Sequence, residues 1–193
     1  MGRALLAVFV LAQAAGAAAQ GSTHDLAQGL QNKIKEHEAR FKAGKPPREK
    51  RLLVTDAELT AYLNLAARLP PSVSNLDVQF DRDRIAVKGQ LDLDQLQGKL
   101  PSGGALGGFA LFSGRVSLLL KGRLQSDDGF GTFQLEDARV GSIPLAPAMV
   151  AQLVAAATRS ADAPQGVDIV APFRFPYGVR SVRISPGRAV LEF

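Results

Sequence analysis

LLVTDAELTAYLNLAARLPPSVSNLDVQFDRDRIAVKGQLDL, residues 52–93, is the stretch whose reading decides the fold. Thr55-Asp56-Ala57-Glu58 matches a capping box, in which the threonine hydroxyl accepts from the N–H of Glu58 and the glutamate reaches back to Thr55. Asp56 and Glu58 also put negative charge in a first turn, where the helix dipole favours it. Leu59, Tyr62, Leu63 and Ala66 then recur at helical spacing and share one face. Pro70-Pro71 ends the helix, because proline lacks the N–H of the ladder and disfavours the α conformation in the residue before it. The period then changes to two. Leu76, Val78 and Phe80 alternate with Asp77, Gln79 and Asp81, and Ile85, Val87, Leu91 and Leu93 resume the alternation after Arg82-Asp83. This predicts an antiparallel pair with one buried and one wet face. The skip at Gly89 predicts a bulge or a close approach to the backbone.

Downstream the chain repeats strand pairs. Asp92 and Asp94 close the second strand; two acids so placed lack the glycine and further oxygens of a calcium loop, and read as an exposed strand end. Ser102–Gly114 is an apolar, glycine-rich connector without charge, either packed under the sheet or forming a mobile lip over an apolar pocket. Its glycine spacing has no P-loop form. Residues 115–124 alternate as a strand, QSDDG (125–129) is a turn, and 130–140 is the return strand. Gly141-Ser142-Ile143-Pro144 turns into a helix over 146–159, with Pro147 suited to its first turn. Met149, Val150, Leu153, Val154 and Ala157 make a broad apolar stripe on it, and alanines fill much of the rest, so it is expected to be covered on several sides. Residues 167–193 close the fold with Phe173-Arg174-Phe175-Pro176-Tyr177-Gly178, a strand through Val182 and Ile184, a Pro186-Gly187 hairpin and a last strand.

Upstream, Arg3, the apolar run 4–11 and Ala17-Ala18-Ala19 form a secretory signal pattern over residues 1–19, with an uncleaved single anchor as the alternative. Residues 22–43 are expected to be a helix with Leu26, Leu30, Ile34 and Phe41 on one face and His37 among them. Residues 42–51, KAGKPPREKR, are the sharpest shift in composition. They read either as a solvated linker or as an anionic-surface contact made by Lys42, Lys45, Arg48, Lys50 and Arg51.

The 193-residue chain, 46% hydrophobic and 21% charged, is long and apolar enough for one domain with a core. The expected division is a signal peptide at 1–19, an N-terminal helix and basic linker at 20–51, and one α+β domain at 52–193. Its fold is expected to be a curved antiparallel sheet of about five to seven strands packed against an apolar helix, plus N-terminal helices. The absence of cysteine excludes disulfides, thiolate metal sites and a cysteine nucleophile. The net charge is +5, and loss of residues 1–19 removes Arg3 and leaves +4. That is compatible with an anionic membrane or polysaccharide. Nucleic acid is not expected, because the basic segment has no interleaved aromatics. His24 and His37 both fall on the first helix, away from any nucleophile or metal-ligand spacing, and read as surface residues. No enzyme, metal or cofactor is expected.

Three stretches carry a resemblance: VTDAELTAYL (54–63), GSIPL (141–145) and FPYGV (175–179) before the Pro-Gly hairpin. Their order resembles that of small exported bacterial proteins of unassigned function. Some of these are similar in architecture to the tubular lipid-binding (BPI-like) proteins. That resemblance implies a curved sheet around a helix and an apolar ligand between them, and it transfers no binding residues. The expected function is an exported protein of the cell envelope, periplasmic or extracellular. It would bind a lipid or other hydrophobic small molecule between sheet and helix, on Leu106, Phe109, Phe112, Met149, Leu153, Phe173 and Phe175. The same residues also read as plain core. The alternative is a non-enzymatic scaffold or assembly protein of the envelope, meeting a partner protein through the basic linker or a sheet edge.

Overall fold

Thr55 caps its helix as the capping box predicts: its hydroxyl accepts from Glu58 N at 3.1 Å, and the Glu58 carboxylate accepts from Thr55 N at 2.9 Å. The computed structural model describes residues 21–67, 69–96, 113–159 and 164–193. Among these lie helices α1 (Gly21–Lys42), α2 (Asp56–Leu65) and α3 (Pro147–Thr158). The strands are β1 (Arg51–Thr55), β2 (Val73–Asp81), β3 (Arg84–Asp92), β4 (Arg115–Asp127), β5 (Phe130–Val140), β6 (Ile143–Pro144), β7 (Phe173–Arg174), β8 (Ser181–Ser185) and β9 (Arg188–Glu192). The fold is α+β and antiparallel throughout. Its strands divide between two sheets rather than running in one. A six-stranded sheet has the order β2-β3-β4-β5-β6, with β7 also on β5, and a three-stranded sheet has the order β1-β9-β8.

Strand β1 lies where the sequence suggested only the approach to a helix. Its run of Leu52-Leu53-Val54 is too short to show a period, and its pairing partner is the distant β9, with Arg51 opposite Glu192 and Thr55 opposite Arg188. The turn at Asp128-Gly129 has both residues at positive φ, 39° and 84°, the conformation that matches the twist of a tight hairpin. Both predictions for Gly89 are met. The partner strand bulges between Ser74 and Asp77, and a Cβ on Gly89 would lie 2.6 Å from the Leu76 side chain.

Two apolar cores result. The first joins α1, α2, β1, β2, β8 and β9 around Leu30, Val54, Leu59, Tyr62 and Leu63, all essentially sealed from solvent. Helix α1 contributes Ala27, Leu30 and the buried amide of Gln31, with Ile34 partly covered. Leu26 and Phe41, expected on the same face, are instead exposed. The second core lies between α3 and the sheet, around Leu91, Leu96, Val140, Val150 and Leu153.

The edge of the six-stranded sheet at β2 and both edges of the three-stranded sheet are met by groups that are not strands. On β2, Asn64 of α2 bonds both backbone groups of Leu76, and the Thr60 hydroxyl accepts from Val78 N at 2.9 Å. Gly187 N donates to Phe80 O at 3.0 Å. On β8, the Ser126 hydroxyl accepts from Val182 N at 3.0 Å and donates to Val182 O at 2.9 Å, which ties the two sheets together. On β1, Lys33 reaches Leu53 O at 3.5 Å, and Glu58 takes Thr55 N. Edge strands with open ladder groups recruit other chains; here helix side chains and hairpin ends fill the ladder positions.

Candidate functional site

Helix α3 begins at Ala146 without a side-chain cap and with Pro147 at its start, so its position depends on packing more than on local bonds. Val150, Leu153 and Ala156 form its buried stripe. The far end is held by Thr158, whose hydroxyl donates to Val154 O at 2.6 Å and accepts from Val167 N at 2.8 Å. The remaining apolar residues of α3 are half-exposed: Met149, Ala151, Val154, Ala155 and Ala157. The helix is therefore covered on one narrow side, not on several. Its charge-free sequence reflects small alanines at the margin as well as burial.

The sheet beneath shows the same incompleteness. Val116, Leu118, Leu120 and Leu135 pack against this core yet stay partly open, as does Ile169. Among the described residues, more side chains of this second core are partly open than buried, the reverse of the first core. A half-open apolar margin between a helix and a sheet is where a slender hydrophobic ligand would complete the packing.

The expected lining residues are only partly brought together. Met149 and Leu153 both belong to the core under α3. Phe173 and Phe175 pack on each other instead, with ring centroids 5.4 Å apart at 87°, over the backbone of Gly131. Phe175 also borders the first core. Leu106, Phe109 and Phe112 lie outside the described residues, as does the signal pattern at 1–19.

The basic segment is substantially neutralised by partners. Lys42 pairs with Glu38 at 2.7 Å, Arg48 with Glu36 at 3.7 Å and Arg51 with Glu192 at 3.2 Å. Lys45 and Lys50 are exposed. Three of the five cations thus have an acidic partner, and all five are exposed.

His24 is exposed as expected, but His37 is half-buried, stacked on Phe193 with centroids 4.3 Å apart and planes within 2°. Burial lowers its pKa below the usual histidine value against the opposing pull of Glu36 and Glu49, with Arg40 adding to the lowering. Nothing in the local sequence around His37 pointed to a partner so far along the chain. At Glu58, burial would raise the carboxyl pKa, but the hydrogen bonds from Lys33 and Thr55 prevail and hold it below the usual range. Among the described residues, no group of three or more His, Cys, Asp or Glu is placed to hold a metal ion, and no helix is long and apolar enough to cross a membrane.

Compared with protein-family models, curated proteins and solved structures, the chain matches none.

Proposed function

We propose that the protein is an exported, non-catalytic binding protein of the cell envelope that takes a lipid or other apolar ligand between α3 and the six-stranded sheet. The observation that carries this reading is the margin of the second core, where Leu118, Leu120, Leu135, Met149 and Val154 pack against it and stay partly exposed. Each half-exposed aliphatic side chain that a ligand covers gains on the order of 25 cal/mol per Å² of apolar area.

The scaffold alternative has less support from both of its contacts. The edges of β1, β2 and β8 are taken up by Lys33, Asn64, Thr60 and Ser126, and the basic linker is largely paired internally. The binding reading is favoured for that reason.

The test is native purification followed by organic extraction and mass spectrometry. A stoichiometric co-purifying lipid is expected, and Ala157→Phe, which fills the margin, should displace it while leaving the circular dichroism spectrum unchanged. A stable protein that carries no extractable ligand and binds no added fatty acid would refute the proposal.

A further inference from the structure

The end of α1, the segment after it and the turn leading to β8 enclose a second, separate site. It is a cleft of about 190 Å³ between His37, Phe41, Lys45, Tyr177, Arg180 and Phe193. Its walls are aromatic. His37 lies flat on Phe193, and Phe41 meets Tyr177 edge to face with centroids 6.3 Å apart. Phe41 is 56% exposed, although the core lies on another side of the same helix.

The turn opposite Phe41 is built in a conformation that ordinary side chains avoid. Tyr177 has φ 52° and Gly178 φ 79°, and Val179 N closes the turn on Pro176 O at 3.1 Å. A bulky residue in the left-handed region is disfavoured by its own Cβ, and such positions concentrate at binding sites. Gly178 suits its position because of its φ, and its backbone lies against the Phe41 ring, 3.4 Å from where a Cβ would sit. The turn therefore holds Tyr177 against Phe41 at a conformational cost that the surrounding packing must offset.

The rim is cationic. Arg40, Lys45 and Arg180 line the cleft, and no Asp or Glu side chain does. Arg40 Nε is fixed by Pro46 O at 2.8 Å. Lys45 and Arg180 are exposed and, unlike Lys42, Arg48 and Arg51, have no acid within ion-pair distance among the described residues. Aromatic walls accept a flat apolar body, and unpaired cations accept an acid. The volume is that of about six waters at ~30 Å³ each, enough for one ring and its substituent and too little for a long chain.

We propose that this cleft binds a small aryl acid, a single flat ring bearing a phosphate, sulfonate or carboxylate. The site is independent of the apolar margin under α3, and its test uses a probe that the margin would not select. Phenyl phosphate is titrated into the purified full chain, followed by calorimetry and by amide chemical shifts. Saturable binding is expected, with shifts centred on residues 37–45 and 177–180. Inorganic phosphate alone and phenol alone should each bind on the order of tenfold more weakly, since each offers half of the recognition. Lys45→Ala with Arg180→Ala should weaken phenyl phosphate by on the order of tenfold. The exposed Lys50→Ala should change nothing, and Phe41→Ala should weaken the ring-bearing probe but not phosphate. All these side chains are exposed, so the variants are expected to fold, which circular dichroism checks. Equal affinity for phosphate and phenyl phosphate, an unchanged affinity in the double variant, or binding only to phosphatidylglycerol vesicles would each overturn the proposal.

Discussion

Asn64 of helix α2 pairs with Leu76 of strand β2 as a neighbouring strand would. Its Nδ2 donates to the Leu76 carbonyl at 2.6 Å, and its Oδ1 accepts from the Leu76 N–H at 2.9 Å. One turn earlier, Thr60 serves Val78. Two helix residues four apart thus serve ladder positions two apart. Asn64→Ala leaves both Leu76 groups unpaired at a part-buried site, which costs about 1–3 kcal/mol. Urea denaturation should show the midpoint fall. Asn64→Asp, which retains the acceptor and loses the donor, should fall between the variant and the parent. Sedimentation should reveal association of Asn64→Ala at high concentration, because the edge of β2 is then open.

Tyr62 illustrates the opposite situation. It is fully buried in the first core, and its hydroxyl has no hydrogen-bond partner among the described residues. Burial, with Tyr177 and Glu38 nearby, pushes its pKa up to about 12. Tyr62→Phe removes a desolvated polar atom at almost constant volume and should be neutral or stabilising by up to about 1 kcal/mol. Tyrosine ionisation is disfavoured in the fold, so this residue's contribution is intact below pH ~10 and is lost as pH rises towards 12. Spectrophotometric titration at 295 nm with parallel melting should show that loss in the parent and its absence in Tyr62→Phe.

Acid should act in two stages. The folded pKa of His37 is lowered, so the neutral ring is favoured, and its stabilising contribution is full above ~6.5 and lost as pH falls through the folded value. The folded pKa of Glu58 is also lowered, so its contribution is full above ~4.5 and is lost below that. Melting temperature should decline first below pH ~6.5 and again below ~4.5. His37→Asn should abolish the first decline. Glu58→Gln should abolish the second and, by weakening the cap and the 2.6 Å pair with Lys33, cost about 1 kcal/mol at neutral pH.

Arg84 and Arg123 face each other directly across β3 and β4, a like-charge pair that should repel. Glu136 resolves it. The register slips at Lys121/Gly122, so Glu136 falls opposite no single residue and bonds Arg84 at 2.9 Å and Arg123 at 3.4 Å. All three side chains are partly solvated, so Glu136→Ala is expected to cost about 0.5–1 kcal/mol, shrinking in 1 M salt. Denaturation at low and high salt checks both parts.

What was legible in the sequence was local. The capping box, the change of period after Pro71, the Asp-Gly hairpin and the antiparallel α+β class all follow from neighbours along the chain. Strand β1 was not legible, because five residues carry no usable period and its register is set by β9. The stack of His37 on Phe193, the edge-filling role of Asn64 and the cleft around Tyr177 were hidden for the same reason: each joins residues far apart in sequence. Asn64 in particular sits on the wet side of an amphipathic helix, where an amide looks unremarkable until a strand edge is placed beside it. Phe41 misled in the other direction. Its spacing put it with Leu30 and Ile34, but its partner is Tyr177, outside the core.

The pairing of β1 with β9 has a consequence for the order of events in synthesis. Val54, sealed in the first core, is covered in part by Ala189 and Leu191, which leave the ribosome long after it does. Until those residues appear, Leu52 and Val54 lack the strand that pairs with theirs. Closure between remote segments makes folding slow and late. A frameshift near Ala189 would take Ala189 and Leu191 out of the first core and leave β1 and β8 without the strand that joins them.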